Sequence, residues 1–245
     1  MSDRIVYVEK AENVATVRFD RGRDPNPLSV GTLMALTDAA LELAEDESVT
    51  AVVLTGRPRV FTAGVDLKDP EMARTFEAPV GEKRRIAALG PKMCRAWEAM
   101  PQVTIAAIEG YCMGGGVSLA VSCDFRVMGE GARLSVPELR LGMNMSWQTL
   151  PRLTNLVGPA RAKRIVLLAE MIDAATALQW GLVDWTASDG RVHSEAVGVA
   201  RRVAAMPPLP VMMTKQSINA HATALNHAAS HMDYDQFTLT TMTKD

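Results

Sequence analysis

The sequence predicts an α/β protein whose sheet is largely buried on both faces. Two short apolar runs, residues 51–54 (AVVL) and 103–108 (VTIAAI), have the length and uniform hydrophobicity of central strands. Longer stretches with apolar residues at helical spacing alternate with such runs, which is typical of α/β folds. No dinucleotide-type glycine fingerprint follows the first strand, so periodicity predicts the class and leaves the architecture open.

The N-terminal elements follow from local patterns. Residues 5–8 and 14–19 alternate around a polar turn at 10–13, which predicts a β-hairpin. Apolar residues then recur on one face of a helix, at Leu33, Leu36, Ala40 and Leu43. Residues 49–55 follow as a strand buried on both faces.

A polar stretch comes next, and it contains Pro70, Pro79 and Gly81. Proline and glycine interrupt regular structure, so this stretch predicts a mobile loop. Residues 82–100 or so have a helical pattern and lead into the strand at 103–108.

The second half of the chain predicts two short strands and then helices. The strands cover residues 125–128 and 132–135, and a helical region begins near Leu150. Three helical stretches are expected there, at residues 160–171, 173–180 and 191–205. A cluster of prolines, Pro207, Pro208 and Pro210, predicts a break before a last helix over about 212–227.

Composition excludes several classes of protein. The 245 residues are 48% hydrophobic and 22% charged, which is ordinary for a soluble globular chain of one large domain or one domain with an appendage. A net charge of −2 gives no overall attraction to nucleic acid or anionic membrane. Three cysteines without metal-type spacing and an N-terminus without an apolar stretch predict reduced thiols, a cytoplasmic location and no membrane segment.

Two glycine-containing segments are the candidate catalytic segments of the chain. Residues 61–67 (FTAGVDL) and 110–118 (GYCMGGGVS) each follow an apolar strand, and the second opens a helix. Glycine allows close approach to the main chain, and a helix N-terminus has unpaired N–H groups. One N–H from each segment would form a hole for an oxygen that gains negative charge during a reaction.

The same pair of segments resembles the signature of the crotonase superfamily, the enoyl-CoA hydratases and isomerases. The resemblance extends over nearly the whole chain through residues 26–28 (NPL), 136–142 (VPELRLG) and 174–183 (AATALQWGLV). It implies a ClpP/crotonase-like fold, with a spiral core of repeated ββα turns over residues 1–190 and a C-terminal helical oligomerisation segment over 191–245. It also implies a homotrimer or a dimer of trimers.

The resemblance assigns roles to individual residues. The oxyanion donors would be the backbone N–H groups of Val65 and Gly115, and Glu138 would be the catalytic carboxylate. Lys215 matches a position that can approach coenzyme phosphates, with a solvated helix lysine as the alternative. The residues expected to contact the substrate or its coenzyme A are Pro27, Leu28, Ala63, Gly64, Val65, Asp66, Leu67, Met113, Gly114, Gly115, Ser118, Pro137, Glu138, Met143 and Trp147.

The sequence departs from hydratases in its acid/base residues. Hydratases of the family use two glutamates to hold and add a water, and here Ser118 stands at the first of those positions. A serine hydroxyl without a paired base is too weak an acid to share the proton transfer. Hydratases also have a glycine-rich loop where this chain has the bulky Met143, Met145 and Trp147. Both departures resemble the Δ3,Δ2-enoyl-CoA isomerases, in which one glutamate moves a proton from C2 to C4.

The sequence therefore predicts an enzyme that isomerises an enoyl-CoA, with Glu138 as the proton shuttle. Coenzyme A would be part of the substrate, and neither a separate cofactor nor a metal is expected. A hydratase is one alternative, and a catalytically weak protein that binds CoA thioesters is another. RNA binding through a basic first helix fits poorly, because residues 33–47 contain no lysine or arginine.

Overall fold

A computed structural model describes residues 4–74 and 78–242 of the chain. These residues form two sheets covered by helices. The strands are β1 (Val6–Ala11), β2 (Val14–Phe19), β3 (Ala51–Thr55), β4 (Val103–Ile108), β5 (Tyr111–Met113), β6 (Phe125–Gly129), β7 (Arg133–Ser135), β8 (Ile172–Asp173) and β9 (Trp185–Ala187). The helices are α1 (Val30–Ala44), α2 (Pro70–Arg74), α3 (Val80–Ala87), α4 (Leu89–Ala99), α5 (Gly115–Ala120), α6 (Thr149–Leu167), α7 (Ala174–Trp180), α8 (Val192–Ala204), α9 (Pro208–Ala222), α10 (Asn226–Ser230) and α11 (Asp233–Met242). A 3-10 turn spans Glu138–Leu141.

From β4 to β7 the strands alternate between the two sheets, and this alternation builds a ββα repeat. The large sheet has the order β1-β2-β3-β4-β6-β9, in which β1 and β2 are antiparallel and the other neighbours parallel. The small sheet has the order β5-β7-β8. The chain runs β4, β5, α5 and then β6, β7, followed by the 3-10 turn and α6. The predicted α/β class and the ββα repeat are confirmed.

The central strands β3 and β4 of the large sheet are buried on both faces, as their uniform hydrophobicity predicts. Alternate residues of β3 and β4 point to opposite sides because side chains alternate along a strand. Val52 and Leu54 belong to the larger hydrophobic cluster, which contains the apolar face of α1 and the fully buried Trp97. Val53 and Ile105 belong to a second cluster, which is completed by α8.

Apart from residues 75–77, which lie outside the described residues, the stretch predicted as a loop with a following single helix contains three helices. Pro70 is the first residue of α2 and Pro79 caps α3, because a proline costs no hydrogen bond at a helix start. The helix expected over 82–100 is divided into α3 and α4 at Ala88. Pro91 explains the division, since it has no N–H to donate to the carbonyl one turn earlier.

The C-terminal helices also differ from the sequence-based bounds. The proline cluster begins α9 rather than preceding it, and α9 ends at Ala222. The helices α10 and α11 follow as separate elements. Strands β5, β8 and β9 have two or three residues each, which is too short for an alternating pattern to identify. No helix in the described ranges is both long enough and apolar enough to cross a bilayer.

Lys215 anchors α9 to the body of the protein, so the expectation of a solvated lysine is wrong. It is the buried residue of α9. Its Nζ forms an ion pair with Asp124 at 2.6 Å and donates to the Gln102 carbonyl at 2.7 Å. Asp124 in turn accepts hydrogen bonds from the backbone N–H and the hydroxyl of Thr104, at 2.7 and 2.9 Å. The lysine therefore fastens the helix beside the start of β4.

We expect Lys215→Met to lower the free energy of unfolding by about 3 kcal/mol, because it leaves a largely buried carboxylate without its cation. Urea unfolding at neutral pH measures the change. Lys92→Met, at an exposed lysine of α4, is the matched control and should have little effect. A loss no larger than that of the control would contradict the anchoring role.

Candidate active site

The two glycine-containing segments are joined side by side by backbone hydrogen bonds. Phe61 N–H donates to the Glu109 carbonyl at 2.7 Å, and Thr62 N–H donates to the Tyr111 carbonyl at 3.0 Å. In the opposite direction, Met113 N–H donates to the Thr62 carbonyl at 3.0 Å. These bonds make a parallel bridge between Thr62 and Cys112. The start of each segment is therefore fixed relative to the other.

A third segment, residues 25–28, holds the first loop from its other side. Ala63 N–H donates to the Pro25 carbonyl at 3.0 Å, and Leu28 N–H donates to the Gly64 carbonyl at 2.8 Å. The Leu28 carbonyl accepts from Asp66 N–H at 2.8 Å. In such a parallel bridge the intervening N–H, that of Val65, points away from the partner strand. The pairing thus orients Val65 N–H outward.

Glycine is needed where the two segments touch. Gly64 has φ of 88°, and a methyl group there would lie 2.8 Å from the Met113 carbonyl oxygen and 3.6 Å from the Gly115 nitrogen. Gly114 has φ of 51°, and a methyl group there would lie 2.3 Å from Glu138 Oε1. Side chains at these positions would be strained and would collide with neighbours. The absence of side chains brings the Val65 loop, Gly115 and Glu138 together.

Two backbone donors remain at the junction. Within the described ranges, no acceptor takes up the N–H of Val65 or that of Gly115. Gly115 is the first residue of α5, where a helix leaves N–H groups unpaired. One free N–H therefore comes from each segment, as an oxyanion hole requires.

Both donors belong to the lining of a cavity of about 650 Å³. The predicted site residues that line it are Ala63, Gly64, Val65, Leu67, Gly114, Gly115, Pro137, Glu138, Met143 and Trp147. Five other predicted residues are not part of that lining, namely Pro27, Leu28, Asp66, Met113 and Ser118. The structure therefore brings ten of the predicted residues together around one space.

Leu28 and Asp66 support the loop that lines the cavity. Leu28 is fully buried and contributes the backbone bonds to Gly64 and Asp66. The Asp66 carboxylate is buried, pairs with Arg23 and Arg21, and accepts the Lys68 N–H at 3.1 Å. Asp66 thus orders its loop through its own contacts.

Glu138 presents a carboxylate with an unpaired oxygen. It follows Pro137 and begins the 3-10 turn, where its Oε1 lies against the Cα of Gly114. Its Oε2 is buried and has no hydrogen-bond partner among the described residues. Burial disfavours the charged carboxylate and raises the pKa of Glu138 to about 7. A carboxyl group with this pKa can both take up and release a proton near neutral pH.

Ser118 lies one turn into α5 and is completely buried. Its hydroxyl is hydrogen-bonded to the Thr149 hydroxyl at 2.7 Å and is 3.5 Å from the Gly114 carbonyl oxygen. The hydroxyl is thus engaged by the start of α6 rather than by the cavity. Among the described residues that line the cavity, Glu138 is the only one with a carboxylate.

Trp147 fills the space between two helices beside the donor glycine. A methyl group on Gly115 would lie 2.6 Å from its Cζ3, and one on Gly90 of α4 would lie 1.8 Å from its Cε2. Met143 and Met145 also line the cavity. The predicted bulky loop therefore packs in the core and also forms the cavity wall.

Sequence reasoning did not predict that the helices α3, α4 and α11 close the cavity. Gly90 and Ile86 contribute from α4 and α3, and Phe237, Thr238 and Thr241 contribute from α11. These residues carry no motif, and α11 lies far along the chain from the glycine segments. A period of apolar residues could have indicated buried faces but could not have assigned them to this cavity.

The chain matches known proteins over nearly all of its length. Residues 9–245 match the family model described as enoyl-CoA hydratase/isomerase. A short-chain-enoyl-CoA hydratase of Clostridium acetobutylicum is 34% identical over 215 residues, 87% of this chain and 80% of the relative. A crotonyl-CoA hydratase of Syntrophomonas wolfei is 32% identical over 241 residues, 98% of this chain and 91% of the relative.

The solved structures that resemble this chain include members of the same family. The crystal structure of an enoyl-CoA hydratase/isomerase from Xanthobacter autotrophicus Py2 superposes with a TM-score of 0.89. It is 28% identical, and the match covers 97% of this chain and 87% of that one.

The raised pKa of Glu138 predicts a pH-dependent cost in stability. Below the ordinary glutamate pKa both states are protonated, and as the pH rises toward about 7 the unfolded state loses its proton first. Stability is therefore lost across this window, by up to about 3 kcal/mol. Glu138→Gln should remove this loss. The free energy of unfolding of the variant, measured with urea, should therefore rise relative to that of the wild type between about pH 5 and about pH 8.

The matched control is Glu130→Gln, which changes an exposed carboxylate. Its stability difference from the wild type should be small and nearly the same at both pH values. If the free energy of unfolding had the same pH dependence in Glu138→Gln and in the wild type, the Glu138 carboxylate would not be destabilised by its surroundings.

Proposed function

The chain belongs to the enoyl-CoA hydratase/isomerase family, and from that premise we propose that it isomerises 3-enoyl-CoA thioesters to 2-enoyl-CoA with Glu138 as the proton shuttle. The observation that carries the proposal is the single carboxylate. Glu138 lines the cavity beside both backbone donors, whereas the Ser118 hydroxyl is bound to Thr149.

The first step is capture of the thioester oxygen. The N–H groups of Val65 and Gly115 donate to that oxygen and stabilise the negative charge that develops on it. Loss of one such donor costs about 3 kcal/mol of transition-state stabilisation in enzymes of comparable design. Since both donors belong to the backbone, they are set by the pairing of the loops rather than by side-chain identity.

The second step is a proton transfer that needs one base. Ionised Glu138 removes a proton from C2, and the electron pair forms a dienolate whose oxygen rests on the two N–H groups. The protonated Glu138 then returns the proton to C4, which places the double bond between C2 and C3. The pKa of about 7 suits both halves of the transfer, because neither form of the carboxyl group is strongly favoured at neutral pH.

Hydration is the second candidate, and the names of the relatives favour it. The proteins of Clostridium acetobutylicum and Syntrophomonas wolfei are called hydratases. Hydration adds a water across the double bond. In this chain Glu138 alone would have to take a proton from the water and also supply the proton that C2 receives. The buried Trp147 and the bound Ser118 hydroxyl support isomerisation over that reaction.

We further propose assembly through the C-terminal helices, as a trimer or a dimer of trimers. Exposed apolar residues on α9, including Leu209, Met213 and Ile218, support this proposal. The division into residues 1–190 and 191–245 and the cytoplasmic location remain predictions. Coenzyme A is proposed as part of the substrate, with no separate cofactor.

We expect Glu138→Gln to lower kcat for conversion of 3-hexenoyl-CoA to 2-hexenoyl-CoA by about 1,000-fold, because the amide cannot take up the proton. Absorbance of the conjugated thioester measures the rate. Ser118→Ala is the control, and it should keep most of the activity because its hydroxyl faces Thr149. Robust hydration of crotonyl-CoA that survives Glu138→Gln would contradict the proposal.

The pH dependence of kcat/KM should report the ionisation of Glu138 in the free enzyme. Since the ionised carboxylate removes the proton from C2, kcat/KM should fall at low pH along a limb with an apparent pKa of about 7. Initial rates at subsaturating 3-enoyl-CoA provide the measurement. A flat profile across that region would show that the base is another group.

A further inference from the structure

The wall that Trp147 forms depends on an unusual backbone. Trp147 has φ of 64° and Gln148 has φ of 60°, so two successive residues with side chains lie in the left-handed region. This region is disfavoured for residues other than glycine, asparagine and aspartate. Such a pair persists only where neighbouring groups hold it in place.

Arg152 holds the turn from the protein core. Its Nη1 donates to the Trp147 carbonyl at 2.8 Å. Its own guanidinium is fixed by two bonds to the Glu98 carboxylate, at 2.7 and 2.8 Å. Arg152 and Glu98 belong to α6 and α4, and they fix the carbonyl side of the turn.

Asp233 holds the opposite side, and it comes from the C-terminal helix. Its Oδ2 accepts the Gln148 N–H at 2.6 Å. Its Oδ1 is buried and has no hydrogen-bond partner among the described residues. A buried carboxylate with a free oxygen is costly. The hydrogen bond from Gln148 N–H offsets part of the cost of burying the Asp233 carboxylate.

The rest of α11 docks through different contacts. Asp235 accepts from Arg84 Nε of α3 at 2.9 Å, and Tyr234 lies under the same guanidinium at 4.8 Å. Asn144 bonds to Thr240 and Gln236. Loss of Asp233 would therefore release the Trp147–Gln148 turn while these other contacts keep α11 in place.

We propose that Asp233 is a positioning residue for Trp147, so that docking of the C-terminal helix shapes the acyl pocket beside Gly115. The bond to Gln148 N–H keeps the left-handed turn closed and the indole wedged between Gly90 and Gly115. In the proposed reaction the Gly115 N–H binds the thioester oxygen, so the Trp147 wall beside it would face the neighbouring acyl carbons and select unbranched acyl chains. The selectivity part of the inference rests on the proposed function.

The direct test measures the environment of the Trp147 indole. The emission spectrum of each protein, minus that of the same protein carrying Trp147→Phe, isolates this indole from the other tryptophans. Asp233→Ala should shift the difference spectrum to longer wavelength and increase acrylamide quenching. Asp233→Asn retains an acceptor oxygen and should restore the wild-type spectrum. Asp235→Ala, which removes the contact of the same helix to Arg84, should leave the spectrum unchanged.

The second readout is selectivity. The ratio of kcat/KM for a 4-methyl-branched over a straight-chain 3-enoyl-CoA should rise about tenfold in Asp233→Ala. That rise should disappear in a Trp147→Ala background, because the wall is already gone. Circular dichroism verifies folding, and Asp233→Ser replaces Asp233→Ala if the latter does not fold.

An unchanged indole spectrum in folded Asp233→Ala, or an equal shift in Asp235→Ala, would overturn the proposal. Failure of the proposed function is distinguishable from this result. It would appear as a wild-type protein that does not isomerise 3-enoyl-CoA, whereas the indole measurement needs no turnover.

Discussion

The backbone pairing of residues 61–62 with residues 109–113 is the interaction on which the site depends. It joins the ends of two neighbouring parallel strands, β3 and β4, and carries their register into the loops that follow. Because residues 25–28 hold the first loop from the other side, Val65 N–H has no partner in the described protein. The sheet thereby fixes two donors without the use of any catalytic side chain.

Glu138 lies beside this pair of donors, whereas Ser118 is buried away from the cavity. Gly114 has no side chain, so the Glu138 carboxylate lies against the main chain next to the Gly115 donor. Its pKa is raised by burial, because the surrounding wall is mostly apolar. Thr149 meanwhile takes up the Ser118 hydroxyl. The site combines a preorganised pair of donors with one carboxyl group that is poised between its two protonation states.

The sequence was sufficient for the parts of the site that are local in the chain. The segments at 61–67 and 110–118 and the turn with Glu138 have motifs, and the family resemblance that these motifs carry predicted both the ββα repeat and the two donors. Contacts between distant residues that no motif marks could not be predicted. The wedge of Trp147 between Gly90 and Gly115, the buried pair of Lys215 with Asp124, and the part of the cavity formed by α11 all depend on tertiary packing. The prolines that begin α2 and α9 were misleading, because proline both ends and starts helices.

The most direct test of the account is the fate of a label at C2. The wild-type protein is given 3-hexenoyl-CoA with deuterium at C2 in ordinary water, and the product is analysed by mass spectrometry and NMR. If one buried carboxyl group carries the proton both ways, 2-hexenoyl-CoA should form with part of the deuterium at C4. A 3-hydroxyacyl-CoA as the main product, or a 2-enoyl product with no deuterium at C4, would contradict the account.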